Sequence, residues 1–198
     1  MLKIQYNKTF IQQLRRQLQI RERALPTLKS KETALRVEVK NIATKISNLQ
    51  EQLRDMRDSM SSYEVLWAEF PEIVKLGEVV LARKNIAGVK VPRIEQLTVE
   101  FTEPQLFLQP AWLLMGLESL KKLVRLEAEI EVAQRQYEVL QYARKKTTQK
   151  VNLYEKVQIP EFKEGILKVK RYLEDEENLS KSAQKIVKER NRIREAAL

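Results

Sequence analysis

Residues 14–60 repeat with a period that leaves little choice of fold. With heptad position a at Leu14, Arg21, Leu28, Leu35, Ile42, Leu49 and Met56, position d falls on Leu18, Leu25, Glu32, Val39, Ile46, Leu53 and Met60. Twelve of these fourteen positions are apolar, and Arg21 and Glu32 break the pattern. Lys, Arg, Glu and Gln fill most of the other positions, so the stretch specifies a coiled-coil helix. At 1.5 Å per residue, residues 10–60 would reach roughly 75 Å. Pro26 lies inside the pattern and is expected to kink the helix or split it locally.

A second arm starts near Trp112 and carries the same seam through Leu123, Leu126, Ile130, Ala133, Tyr137, Leu140, Val151 and Tyr154, interrupted by Arg144 and Thr147. It continues less regularly through Ile166, Val169, Leu173, Leu179, Ile186 and Ile193, with Pro160 as another expected kink. Between the arms, Pro71, Pro92, Pro104 and Pro110 rule out a long helix, because each removes a donor and adds a ring clash. Within that middle, Val79 to Ala82 and Val89 to Val91 are β-rich and flank Arg83 to Gly88. We expect a small β-hairpin, its loop using Asn85 and Gly88 for positive φ, with residues 97–101 extending it or forming an edge.

The expected fold is therefore all-α dominated: a long antiparallel two-helix coiled coil with a small β-hairpin module inserted in the middle. Its parts would be an N-terminal coiled-coil helix (1–62), a middle module with the hairpin near 79–92 (63–111), and a C-terminal coiled-coil helix (112–198). Arms of comparable length folded back on each other would bring both termini to one end. Trp67 and Trp112 bracket the middle, either packing its junction with the coiled coil or anchoring a partner surface.

Composition then removes whole classes of chemistry. The 198 residues include no Cys and no His, hence no thiol nucleophile, imidazole base, disulfide, or thiolate or imidazole metal ligand. Four scattered glycines, Gly77, Gly88, Gly116 and Gly165, form neither glycine-rich nucleotide loop. No apolar run reaches the roughly 18 residues of a membrane span, and the first residues lack the marks of a secretory signal. The reading is a cytoplasmic chain with no cofactor and no metal. Carboxylates are the remaining catalytic possibility, yet Glu127, Glu129 and Glu131 sit at a spacing that separates their faces on a helix. Glu174 to Glu177 lacks the ligand alternation and glycine of a calcium loop. Both groups read as solvated surface.

The net charge of +10 is unevenly placed. Residues 1–40 hold ten basic and three acidic side chains, residues 141–198 fifteen and nine, and residues 41–140 the remaining balance of −3. An antiparallel pair would thus have one strongly positive tip, suited to an acidic or polar socket. Nucleic acid is a weaker match: the longest basic run, Arg144-Lys145-Lys146, has no interleaved aromatics and no binding signature accompanies it. A coiled-coil scaffold or basic binding arm, for protein or RNA, is the alternative.

Three stretches resemble the D subunit of V-type rotary ATPases. Residues 25–35, Leu-Pro-Thr-Leu-Lys-Ser-Lys-Glu-Thr-Ala-Leu, are similar to that family's Leu-Leu-Lys-x-Lys-x-x-x-Leu stretch. Asn85-Ile86-Ala87-Gly88-Val89-Lys90-Val91-Pro92 resembles its hairpin motif. Residues 148–162, which include Val151-Asn152-Leu153 and Ile159-Pro160, resemble its Arg-Arg-Val-Asn-Ala-Leu-Glu-x-Val-x-Ile-Pro-x-Leu signature, the most specific of the three. Gln149-Lys150 stands in place of the Arg pair and Tyr154 in place of a small residue.

The resemblance implies a central rotor shaft, itself non-catalytic, that couples ATP hydrolysis or synthesis to proton or sodium transport. It implies partners: the catalytic A and regulatory B subunits around the termini, a small F subunit on the coiled coil, and a membrane-proximal funnel subunit leading to the rotor ring. Contacts to the catalytic ring would come from the basic tip, at Arg15, Arg16, Lys29, Lys31, Lys145, Lys150, Lys185 and Lys188. The hairpin element would be Arg83, Lys84, Asn85, Ile86, Gly88, Val91 and Pro92. Deleting residues 83–92 is expected to alter coupling while leaving the coiled coil folded.

Overall fold

The computed structural model describes residues 4–61, 67, 74–101 and 111–196. Helix α1 spans Lys8–Ser61, strands β1 and β2 span Val74–Ile86 and Val89–Phe101, and helix α2 spans Ala111–Asn152. A π-helical turn, Leu153–Gln158, leads into helix α3, Ile159–Ala196. Asn7 starts α1 by accepting the Phe10 N–H at 2.6 Å through its side-chain oxygen, which satisfies one of the donors a helix start leaves open. Pro26 does not split α1, which runs helical on both sides of it. Pro71, Pro104 and Pro110 lie outside the described residues.

The chain divides into two compact units, Met1–Ser30 with Thr147–Leu198, and Lys31–Lys146. In the second, α1 and α2 run antiparallel: Arg57 pairs with Glu127 at 2.6 Å near one end, and Arg144 with Glu32 at 3.7 Å near the other. Leu35, Val39, Ile42 and Leu140 are buried between them. Val132 is buried too, although it lies off the heptad seam. It lines a cleft against β2, so α2 covers two surfaces and its apolar pattern is broader than a coiled coil's.

The two strands form one antiparallel sheet. Pairing runs without a break from Leu81↔Ile94 to Ile86↔Val89, and irregularities follow between Val80 and Leu81 and between Leu76 and Val79. This corrects the expected six-residue loop. Arg83, Lys84, Asn85 and Ile86 belong to β1, and residues 97–101 extend β2. The turn is only Ala87 and Gly88, both at positive φ (49° and 76°), the geometry of a two-residue turn whose twist matches the strands. Asn85 needs no special backbone because its partner Lys90 keeps it in the ladder.

The first unit is built from the start of α1, the π turn and α3. Here too the helices are antiparallel, with Lys163 bound to Glu22 at 3.0 Å, Lys29 to Glu155 at 2.6 Å, and the rings of Tyr6 and Tyr172 centred 4.6 Å apart. Leu14, Val151, Phe162 and Val169 are buried. A Cβ on Gly165 would sit 3.4 Å from Leu14 Cδ1, so the small residue permits the close approach of the helices there.

Beyond Leu173 the expected seam ends, and Leu179, Ile186 and Ile193 are 72%, 57% and 63% exposed. The arms are thus unequal: Tyr6 already lies against Tyr172, so among the described residues α3 continues with no more of α1 to face it.

Candidate functional site

The hairpin tip is bound into the core rather than held out in solution. Val91 is 1% exposed and packs with Leu35, Val39, Ile42 and Leu140, joined by Ile86, Ala87, Val89, Tyr137 and Ala143. Pro92 offers its carbonyl to Gln136 Nε2 of α2 at 2.5 Å. A Cβ on Gly88 would come 3.4 Å from Lys31 Nζ, placing that lysine beside the turn. Arg83, Lys84 and Asn85 remain exposed. Removing residues 83–92 would therefore take Val91 out of the core as well as removing the module, a coupling that strand-like sequence alone does not reveal.

The basic residues divide between the units. Arg15, Arg16, Lys29, Lys150, Lys185 and Lys188 belong to the first and are exposed; Lys31 and Lys145 belong to the second, also exposed. Lys29 is engaged by Glu155, while Lys185 and Lys188 stand on the length of α3 beyond its seam with α1, with Lys181, Arg190, Arg192 and Arg194 around them.

The interruptions in the heptad pattern have partners. Glu32, only 12% exposed, lies at 3.0 Å from Arg36 and 3.7 Å from Arg144, so the irregular position of one arm meets that of the other. Arg21 donates from Nε to Gln158 Oε1 at 2.6 Å and from Nη1 to the carbonyl and side-chain oxygens of Gln17. Its guanidinium carbon lies 4.6 Å from the Phe162 ring centroid and 5.8 Å from that of Tyr154, within cation–π range.

Gln158 closes the π turn, where the Ile159 N–H reaches back five residues to the Tyr154 carbonyl. Seam residues step by four from Tyr154 to Gln158 and by four again to Phe162, where a heptad alternates four and three. The wide turn absorbs the additional residue, and it comes just before Pro160, which has no N–H to give. The irregularity expected at Pro160 is thus a π turn on its N-terminal side.

Most carboxylates of the two acidic groups are held in ion pairs. Glu127, Glu129 and Glu131 are each held by a different arginine, Arg57, Arg125 and Arg135. Glu174 pairs with Lys170 and Glu177 with Lys181, each one helical turn away. The Lys181 hydrogen bond at 2.7 Å, with its charge, holds the Glu177 carboxyl below the ordinary carboxylate range. Trp67 and Trp112 share a cavity of about 450 Å³ with Met60, Met115 and Gly116. Among the described residues, no His, Cys, Asp or Glu cluster could hold a metal, and no helix is long and apolar enough to cross a membrane.

A family model for the D subunit of ATP synthase matches residues 11–189. The chain belongs to the ATP synthase D-subunit family. It is 32% identical to the V-type ATP synthase D subunit of Borreliella burgdorferi over 193 residues, covering 95% of each chain. It is also 27% identical to the D subunit from Chlamydia pneumoniae, covering 87% of this chain and 85% of the relative. The D subunit of Chlamydia trachomatis serovar L2 is 29% identical, covering 76% and 77%. As a family member this chain is a central-stalk subunit of a V-type rotary ATPase. The three stretches that resemble the family lie within the matched range, and the most specific spans the π turn.

Proposed function

We propose that this protein is the non-catalytic shaft of the rotor, its first unit seated in the ring of A and B subunits. The F subunit would bind the coiled coil, and a membrane-proximal funnel subunit would carry torque to the ion-moving ring. The complex would lie on the cytoplasmic face of the membrane. A shaft needs no catalytic group. It must be stiff, and it must present different faces to chemically identical sites so that its angle dictates their states.

The observation that supports seating in the ring is the end of α3 that extends past α1. Leu179, Ile186 and Ile193 repeat every seven residues on a helix that also carries Lys181, Lys185, Lys188, Arg190, Arg192 and Arg194. An apolar stripe left in water is unfavourable, and a socket with an apolar lining and acidic or polar groups would satisfy both features.

Mixing the purified chain with a reconstituted A–B ring and F subunit, followed by native mass spectrometry, tests the reading. One copy per ring, with ATP-driven rotation of a bead fixed to the hairpin side, is the expected result. No assembly, or salt-steep binding to nucleic acid instead, would overturn it. Reversing charge at Arg15, Arg16, Lys185 and Lys188 should weaken assembly and lower its salt dependence.

A further inference from the structure

The second unit holds a cleft of about 490 Å³ between β2 and α2, a size typical of ligand sites. Ile94, Leu97, Val99, Val132 and Ala133 supply its apolar surface. Lys45, Arg93, Lys121 and Arg125 also line it, against two carboxylates, Glu95 and Glu129. Glu129 is already engaged by Arg125 at 3.5 Å, so the cleft keeps an excess of positive charge. The averaged charge of residues 41–140 is negative; folding concentrates cations here that the sequence disperses.

One wall is the edge of a strand. In a hairpin with a two-residue turn, the flanking pair Ile86 and Val89 exchanges both hydrogen bonds, and every second pair does so as far as Leu81↔Ile94, where the first irregularity begins. Lys90, Pro92 and Ile94 accordingly turn their backbone groups away from β1. Pro92 has no donor to lose at such a position, and its carbonyl is taken by Gln136. Ile94 is the next outward-facing residue, and it lines the cleft.

The opposite wall is one face of α2, from Lys121 through Arg125, Glu129 and Val132 to Gln136. These residues cover about 22 Å of helix, and residues 93–99 about 23 Å of strand. A seven-residue extended segment has the same span.

We propose that this cleft receives an extended segment of a partner polypeptide in which acidic and apolar residues alternate. The segment pairs its backbone with the outer edge of β2, sets apolar side chains on Leu97, Val99 and Val132, and turns carboxylates toward Lys45 and Arg93. Strand addition supplies the backbone hydrogen bonds, and the cation rim supplies the selection for acid. The proposal does not depend on how the first unit is seated.

The test uses the full chain and a fluorescein-labelled heptapeptide alternating Glu with Val, followed by anisotropy at physiological salt. Saturable binding is expected, weakened at least about tenfold by combined Lys45→Glu and Arg93→Glu, with helicity unchanged by circular dichroism. Lys45→Gln with Arg93→Gln should give an intermediate loss, and carries the test if the reversed pair disturbs folding. A peptide of the same composition with its Glu residues in one block should bind more weakly. No binding, equal binding by the blocked peptide, equal binding by the charge-neutralised protein, or displacement by an equal concentration of inorganic tripolyphosphate would each overturn the proposal.

Discussion

The two units use the same heptad logic and seal it differently. In the second, the α1–α2 seam receives Val91 of the hairpin as an additional layer, and its polar interruptions, Glu32 and Arg144, face each other. In the first, the two helices meet without a strand over them, Arg21 occupies a seam position, and a π turn resets the phase of the partner helix. The second unit is consequently stabilised by apolar burial. The first depends more on hydrogen bonding and aromatic stacking around one guanidinium, and among the described residues the last turns of α3 extend beyond α1. A heptad repeat fixes which residues point inward along a helix; what those residues meet decides how strongly the seam holds.

Substitutions can break that contrast. Leu140→Ala, which opens a cavity among Leu35, Val39, Ile42 and Val91, is expected to cost about 3 kcal/mol in urea unfolding followed by circular dichroism. Arg21→Ala should cost less, about 1–2 kcal/mol, by stranding Gln158 and losing the contacts to Phe162 and Tyr154. Arg21→Leu should recover most of that loss, because an apolar residue suits the seam, while a Gln158→Ala cycle reports the coupling between them. A loss as large as that of Leu140→Ala would erase the distinction between the units.

Smaller effects sharpen it. Gly88→Ala is expected to cost about 1–2 kcal/mol, since the turn holds that residue at φ 76°. Lys29→Ala should change stability by less than about 1 kcal/mol, its pair with Glu155 being half-exposed. At the far end of α3, Ile186→Glu should leave the unfolding midpoint of the isolated chain unchanged and yet impair assembly with the A–B ring.

The Glu177–Lys181 pair contributes above the usual carboxylate range, and its contribution is lost as pH falls through the lowered Glu177 value. An NMR titration should show that carboxyl protonating at lower pH than in Lys181→Ala.

Much of this was legible because helical periodicity is a local property. All fourteen heptad positions of the first arm, Arg21 and Glu32 included, are buried or half-buried. The hairpin's existence was legible in its β-branched runs, but its length was not. The weak turn signal at Ala87-Gly88 yields only when Ala87 can pack against the core, and the charged stretch Arg83 to Asn85 resembles a loop until its pairing with β2 is known. For the candidate contacts, sequence marked exposed cations well and their neighbourhoods poorly.

Composition and periodicity by themselves settled the helical arms, the strand-rich middle and the lack of thiol and imidazole chemistry, since each depends on residue type and spacing along the chain. Only the tertiary structure decided that Glu32 meets Arg144, that Arg21 meets Gln158 across 137 residues, that the hairpin tip joins the core, and that α3 outruns its partner. Those outcomes depend on the register between segments distant in sequence, which a seven-residue repeat leaves free to slip until polar pairs, a π turn and a buried valine fix it.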